Sequence, residues 1–149
     1  EWYLLSTSTT KAGANTNRDI NINIASSYIN GKILQPNEKF SFWDTVGKCT
    51  YDKGYKDATV YNNGKKTKGI GGGVCQVSTT VNMAVKSAGI KTNARQHSLP
   101  VSYASREDEA TVSFGNTDFK FTNTTGKTIM LVMGSVDGSC TCEVWAKYE

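Results

Sequence analysis

One cysteine, Cys75, stands where a glycine-rich stretch runs into a predicted helix. The chain reads Gly-Ile-Gly-Gly-Gly-Val-Cys-Gln from Gly69 to Gln76. Valine and alanine then recur at helical spacing up to Gly89, a residue type typical of helix ends, so we expect Cys75 in the first turn. Unpaired backbone N–H groups and the positive end of the helix dipole favour a thiolate there. The sequence therefore predicts a cysteine nucleophile with a depressed pKa.

The glycines before Cys75 give the same loop a second chemical use. Without side-chain bulk, the backbone N–H groups at Gly72 and Gly73 can approach a substrate carbonyl and stabilise an oxyanion. Gln76 is expected to position the substrate or to contribute a backbone donor; the alternative is an exposed residue of the first helical turn. The loop is predicted to supply the nucleophile and the oxyanion hole together.

The chain contains one histidine, His97, within Arg95-Gln96-His97-Ser98. Histidine is the side chain best suited to exchange protons near neutral pH, so cysteine–histidine chemistry here requires the pair Cys75 and His97. The structural alternatives are an inert buried thiol that packs the helix start and a core histidine bonded to backbone. The pattern favours the catalytic interpretation of both residues.

Motifs distributed along the chain resemble those of the VanW domain family. The matching stretches are Asn17-Arg18-Asp19-Ile20-Asn21, Pro36-Asn37-Glu38-Lys39-Phe40-Ser41-Phe42, Val46-Gly47, Gly54-Tyr55, the Gly-Gly-Gly-Val-Cys-Gln core and Arg95-Gln96-His97-Ser98. The resemblance implies an envelope-facing domain of Gram-positive bacteria with L,D-transpeptidase activity on peptidoglycan through Cys75. The chain departs from the family pattern before Ala110, where glutamate stands in place of aspartate, so the third catalytic group stays open.

The mechanism predicted from this resemblance is acyl transfer between peptidoglycan stem peptides. Cys75 attacks the carbonyl after the third stem residue, His97 protonates the departing terminal D-alanine, and a thioester forms. An amine of a neighbouring stem then resolves the thioester, whereas a cysteine peptidase or carboxypeptidase would use water. A noncatalytic wall-binding module is a further alternative, and it would tolerate the loss of Cys75.

Charged residues near His97 are candidates to complete the site. Asp108 or Glu109 is expected to orient the imidazole, and Arg95 or Arg106 to bind a stem carboxylate bidentately. Four aromatic residues before the motif are expected either to wall the cleft or to fill the core. They are Trp43, Tyr51, Tyr55 and Tyr61.

Cofactor and metal sites are poorly supported by the motifs. A phosphate-binding loop requires Lys-Ser/Thr after its glycines, and a dinucleotide loop requires a third spaced glycine. A zinc site from Cys75, His97, Cys140 and Cys142 lacks the usual paired spacing. The two last cysteines share one face of a predicted strand, where burial as small hydrophobes is favoured, while a disulfide from Cys49 to either one stays open. We therefore predict no metal and no cofactor.

Composition indicates one globular domain over residues 1–149. The chain is 38% hydrophobic and 20% charged, and it has no apolar run of the ~20 residues that span a membrane. We expect membrane contact only through segments outside this fragment, and a location at the extracellular face of the membrane or in the cell wall. The net charge of +4 includes the cluster Lys65-Lys66-Thr67-Lys68. It is too sparse to favour nucleic-acid binding.

The pattern of elements predicts an α+β domain with a mostly antiparallel sheet and two main helices. The first helix is expected to place Ile20, Ile24 and Tyr28 on one face, and the second to follow Gly73. Asn62-Asn63-Gly64 and Asp137-Gly138 indicate hairpin turns. The predicted strands cover residues 2–8, 32–34, 40–42, 59–61, 65–67, 90–95, 111–114, 119–121, 128–133 and 140–147.

Overall fold

The computed structural model describes residues 1–62 and 64–149, with three α-helices, eight β-strands and two short 3₁₀ turns in those ranges. The predicted α+β class is confirmed, and α1 and α3 are the two long helices. In chain order the elements are β1 (Trp2–Lys11), α1 (Thr16–Ile29), β2 (Lys32–Leu34), β3 (Lys39–Ser41), α2 (Phe42–Val46), β4 (Asp57–Asn62), β5 (Lys65–Ile70), α3 (Val74–Ser87), β6 (Lys120–Thr122), β7 (Ile129–Val136) and β8 (Ser139–Lys147), with 3₁₀ turns at Tyr51–Lys53 and Arg106–Asp108.

The main sheet has the antiparallel order β1-β8-β7-β2, and both long helices pack against it. The two-residue hairpin between β7 and β8 occurs where it was predicted, with positive φ at Asp137 and Gly138. The buried positions of β8 alternate as predicted. They are Cys140, Cys142, Val144 and Ala146. Two small sheets, β3 with β6 and β4 with β5, extend beyond this layer.

Helix α3 buries its predicted valine face at Val77, Val81 and Val85. Each fully buried side chain of this size contributes about 1.5–3 kcal/mol through the hydrophobic effect. Polar residues of α3 are also buried, and they bind the loop that follows the second 3₁₀ turn. Ser78 Oγ donates to the Ala110 carbonyl at 2.6 Å. These bonds hold the 108–112 segment against the helix that carries Cys75.

The face predicted for Ile20, Ile24 and Tyr28 is not the buried face of α1. Ile20 and Ile24 are only half-buried and Tyr28 is 45% exposed, whereas Ile22 and Ile29 are buried in the core. The buried side also includes polar residues whose side chains bond to other segments, so apolar spacing alone does not identify the buried face. This side of α1 packs on the sheet and on α3.

Two predicted strands, 90–95 and 111–114, are also wrong. Each forms only an isolated bridge, Thr92 with Phe121 and Ser113 with Thr117. In the first segment, side-chain hydrogen bonds replace the pairing of a strand. For example, Thr92 Oγ1 donates to Asn82 Oδ1 at 2.6 Å. The segments therefore run as irregular loops.

Of the other local predictions, one strand end is wrong and one strand pair is confirmed. Phe42 begins α2 instead of ending a strand, because Ser41 Oγ caps the helix by accepting from the Asp44 N–H. The predicted strand pair 59–61 and 65–67 lies within β4 and β5, which pair antiparallel with Asn62 opposite Lys65. The turn predicted at Asn63 lies outside the described residues.

Candidate functional site

A cleft of about 670 Å³ opens at the N-terminus of α3, and Cys75 and His97 both line it. Cys75 comes from the first turn of the helix, as predicted, and His97 from the long loop that follows α3. The glycine loop 71–73 forms another part of the wall. Tertiary folding therefore brings the predicted pair to one cavity. No direct hydrogen bond joins Cys75 to His97 within residues 1–62 and 64–149.

Cys75 is half-buried, and its sulfur contacts the loop held against α3. The thiol donates to the Val112 carbonyl at 3.4 Å, accepts from the Val112 N–H at 3.5 Å and lies 3.9 Å from Thr111 Oγ1. Burial raises the pKa of Cys75, while the Val112 N–H, the Thr111 hydroxyl and the positive charge of Arg18 lower it to a smaller extent. The predicted depressed pKa is wrong, because desolvation outweighs these partners. Cys75 is a neutral thiol near pH 7.

The glycine loop has no room for larger residues. A Cβ atom at Gly72 would lie 2.6 Å from the carbonyl carbon of Ala58, and one at Gly73 would lie 2.8 Å from Arg18 Cγ. Gly73 also has a φ of 108°, in the left-handed region, where it forms the cap of α3. The loop is anchored by Asn21 of α1, whose amide donates to the Gly72 carbonyl at 2.8 Å. This fixes the backbone beside Cys75.

Three amides of this loop form no backbone hydrogen bond among the described residues. Val74 N–H donates to the Gly71 carbonyl, and Gln76 N–H donates to the Gly73 carbonyl. The N–H groups of Gly72, Gly73 and Cys75 donate to no carbonyl in the part of the chain that the structure describes. These donors lie in the glycine loop and in the first residues of α3, around Cys75.

Gln76 is fully buried, not the exposed residue that was one alternative. Its Nε2 donates to Thr10 Oγ1 at 3.0 Å and to the Gly138 carbonyl at 3.1 Å. The residue also lines the cleft, and its Oε1 has no hydrogen-bond partner among the described residues. Gln76 ties the start of α3 to β1 and to the β7–β8 hairpin.

His97 is held from behind by a buried carboxylate. Its Nδ1 lies 3.0 Å from Glu109 Oε1, and its backbone N–H donates to the same oxygen at 2.8 Å. Both side chains are buried, and the Tyr61 ring lies edge-on to the imidazole at 5.7 Å between centroids. Burial lowers the pKa of His97, and Glu109 opposes this effect. The imidazole is neutral at pH 7.

The other imidazole nitrogen, Nε2, is buried without a partner among the described residues. With Nδ1–H donating to Glu109, the Nε2 lone pair is free to accept a proton. The cleft therefore contains a neutral imidazole whose unpaired nitrogen, in the part of the chain that the structure describes, is Nε2.

Of the two candidate carboxylates, Glu109 contacts the imidazole and Asp108 does not. Asp108 bonds to Lys86 at 3.3 Å and to Ser105 Oγ at 3.0 Å. The two residues are neighbours in sequence, but the Asp108 side chain is partly exposed and the Glu109 side chain is buried. Arg106 Nη1 lies 3.4 Å from Glu109 Oε1 and adds a positive charge behind this carboxylate.

The two arginines predicted to bind a carboxylate do not line the cleft. Arg95 is exposed, and Arg106 bonds to Glu109 and Gln96. Arg18 lines the cleft instead, with its guanidinium 5.5 Å from the centre of the Tyr103 ring. The sequence analysis did not single out Arg18, and its position within the Asn17–Asn21 motif is the signal that could have identified it.

The aromatic predictions are partly supported. Trp43 and Tyr61 line the cleft, whereas Tyr51 is 66% exposed and Tyr55 is buried in the core. Tyr103 is a further lining residue that the sequence analysis did not single out.

The four cysteines are free thiols. Cys140 and Cys142 are fully buried in the core, while Cys49 shares the cleft with Cys75. Among the described residues, no three or more His, Cys, Asp or Glu side chains cluster closely enough to hold a metal ion. Within the same residues, the helices are too short or too polar to cross a membrane.

Known proteins match most of this chain. It is 39% identical over 127 residues to protein YoaR of Bacillus subtilis (strain 168), which covers 85% of the chain and 42% of YoaR. It is 30% identical over 142 residues to the vancomycin B-type resistance protein VanW of Enterococcus faecalis (strain ATCC 700802 / V583), covering 89% of the chain and 46% of that protein. The chain thus spans less than half the length of these curated relatives. No solved structure matches it.

The family model described as VanW like protein matches residues 17–145. This range contains the glycine loop, Cys75, His97 and Glu109, and it leaves out only β1 and the two chain ends. The motif resemblance, the relatives and the model agree, and the chain belongs to the VanW-like family.

Proposed function

We propose that residues 1–149 form a cysteine acyltransferase domain that links peptidoglycan stem peptides through their third residues. The observation that carries the proposal is the cleft itself. A thiol at a helix start, a histidine supported by a buried carboxylate and a loop with unengaged amides all line or adjoin one cavity. These are the parts that acyl transfer needs.

The first half-reaction begins from neutral groups, because burial raises the pKa of Cys75 and lowers that of His97. His97 Nε2 accepts the thiol proton as Sγ attacks the carbonyl carbon of the third stem residue. The oxyanion is stabilised by the amides of Gly72, Gly73 and Cys75. His97 then donates the proton to the departing nitrogen, the C–N bond breaks, and D-alanine leaves a thioester on Cys75.

In the second half-reaction an amine of a neighbouring stem attacks the thioester. His97 Nε2 accepts the amine proton and returns a proton to the sulfur, which restores the thiol and leaves a new amide bond. Glu109 stabilises the imidazolium that forms in both halves, because it accepts from Nδ1 at 3.0 Å. Water in place of the amine would give a trimmed stem, which is the carboxypeptidase alternative.

Family membership supports a role at the cell wall. The relative from Enterococcus faecalis is named for vancomycin resistance, and the resemblance of the motifs implies an envelope-facing domain. Peptidoglycan stems are accordingly the proposed partners. The extracellular face of the membrane or the cell wall is the proposed location. The cleft also contains two cations and no carboxylate among its described lining residues, which fits a substrate with carboxylate groups.

Intact-mass measurement after incubation with a tetrapeptide stem tests the proposal. We expect the wild-type chain to gain the mass of the stem less D-alanine, and Cys75→Ala to gain nothing. Cys49→Ala is the matched control, because Cys49 lines the same cleft and should not carry the adduct.

Adding an acceptor amine should then release a dimer joined at the third residues. Release of the tripeptide alone, with acceptor in excess, would identify a carboxypeptidase. If the wild-type chain forms neither product but binds intact wall equally with and without Cys75, the domain is a binding module and the proposal fails.

A further inference from the structure

Arg18 is a cation without an anion inside the cleft. Its Nη1 is buried and has no hydrogen-bond partner among the described residues, and the side chain forms no ion pair within them. The cleft's described lining residues include Arg18 and Lys48 but neither aspartate nor glutamate. A buried polar group without a partner is costly, and this cost is removed when a ligand supplies the missing anion.

The position of Arg18 is fixed by its neighbours. Its backbone N–H donates to the Asn15 side chain at 3.0 Å in the N-terminal cap of α1. Its guanidinium lies over the Tyr103 ring, and its Cγ occupies the space that a side chain at Gly73 would need. The cation is therefore held beside the loop that precedes Cys75, on elements that do not include His97.

We propose that Arg18 is a subsite for the terminal α-carboxylate of the donor peptide, and that the leaving group is therefore a single C-terminal residue. This inference rests on the proposed function, and it names the feature that selects the substrate. Guanidinium binds carboxylate through two parallel hydrogen bonds, which a neutral carboxamide cannot match. One residue spans ~3.8 Å between successive Cα atoms, so a carboxylate anchored beside Gly73 keeps the preceding carbonyl near Cys75.

The chemical step follows from this placement. Sγ bonds to the carbonyl carbon, the C–N bond to the last residue breaks, and that residue leaves as a free amino acid with the proton from His97. Its carboxylate stays ionised on Arg18 throughout. A donor with an extra residue would place an uncharged peptide group at Arg18 and would leave the cation unpaired.

Binding measured with the Cys75→Ala chain tests the subsite without turnover. Calorimetric titration with a tetrapeptide stem that ends in a free carboxylate is compared with the same stem ending in a carboxamide. We expect the free acid to bind about 10- to 100-fold more tightly, as for a hydrogen-bonded charge pair. In Arg18→Gln on the same background, the free acid should fall to the affinity of the amide.

Two further variants keep the test sharp. Arg18→Lys retains the charge without the bidentate geometry and should keep part of the preference. Arg95→Gln removes an exposed arginine outside the cleft and should change nothing. The proposal would be overturned if the Cys75→Ala chain with Arg18 intact bound the acid and the amide equally. It would also be overturned if Arg18→Gln on that background lowered the affinity for both stems.

The same pair of stems separates this inference from the proposed function. If wild-type chain forms the thioester with acid and amide donors at equal kcat/KM, Arg18 is not the subsite, and the acyltransferase remains. If the acid binds preferentially through Arg18 but no adduct or product ever forms, the subsite stands and the acyltransferase fails. Failure of both stems to bind contradicts the subsite.

Discussion

The domain holds two pairs of cysteines in contrasting surroundings. Cys49 and Cys75 line the cleft at the start of α3 and are half-buried. Cys140 and Cys142 project from β8 into the core and are fully buried. The cleft thiols face a cavity of about 670 Å³, whereas the core thiols face packed side chains such as Ser26, 3.8 Å from the Cys140 sulfur.

Burial raises the pKa of all four thiols, so the pKa does not distinguish the two regions. Cys75 differs from the core thiols in its surroundings. A neutral histidine whose Nε2 has no partner among the described residues lines the same cleft, and amides of the glycine loop lack a backbone partner. Any reactivity of Cys75 therefore depends on a base in the cleft and not on a preformed thiolate.

The largest expected effect is the contrast between Cys75→Ala and Cys140→Ala. The first should abolish thioester formation while the melting temperature stays near that of the wild-type chain. The second should keep the activity and lose about 1 kcal/mol of stability, because it leaves a small cavity in the core. Mass spectrometry and thermal unfolding measure both. Thioester formation by Cys75→Ala would erase the distinction between the two regions.

His97→Ala should lower kcat/KM by about a hundred- to ten-thousand-fold, the usual contribution of a general acid–base group. The chain contains no other histidine to replace it. Circular dichroism is needed to check the fold, because the ring is buried and its removal takes one partner from the buried Glu109 carboxylate. Near-normal kinetics in the folded variant would show that the cleft thiol acts without this base, and would contradict the proposed pair.

Glu109→Gln should lower kcat/KM by about ten-fold and shift its pH profile. Catalysis needs neutral His97, whose pKa lies below its ordinary 6.5. The rate should therefore rise with pH along an acid limb centred below 6.5. Glu109 holds this pKa up, so its removal should move the limb to lower pH.

Asp108→Asn is the matched control for Glu109→Gln, because Asp108 bonds to Lys86 and not to the imidazole. Its pH profile should coincide with that of the wild-type chain. A shift in Asp108→Asn of the same size as in Glu109→Gln would contradict the assignment of Glu109.

The smallest effect concerns stability alone. Cys142→Ser places a hydroxyl in the core where the thiol made only a weak contact with the Glu143 carbonyl at 3.9 Å. We expect a loss of about 1–3 kcal/mol in the free energy of unfolding, from burial of a poorly bonded polar group. Cys49→Ser at the cleft should cost less than 1 kcal/mol, because water reaches it. Urea unfolding of both variants measures the difference, and equal losses would contradict the comparison.

The sequence by itself determined the features that depend on local spacing. The glycine loop, the helix start at Cys75 and the alternation along β8 follow from backbone conformation and period, which neighbouring residues specify. The single histidine required no fold to be identified. The two missing strands were predicted wrongly and the spacing in α1 did not identify its buried face, because buried polar side chains and their bonds to distant segments override apolar spacing.

Only the tertiary structure decided the partners within the site. Glu109 and not Asp108 supports His97, and Arg18 and not Arg95 or Arg106 enters the cleft. The tertiary structure also determined the direction of the Cys75 pKa shift. A helix start favours the thiolate, and the bonds from residues 111 and 112 also lower the pKa of Cys75, but burial of the sulfur raises this pKa and outweighs them.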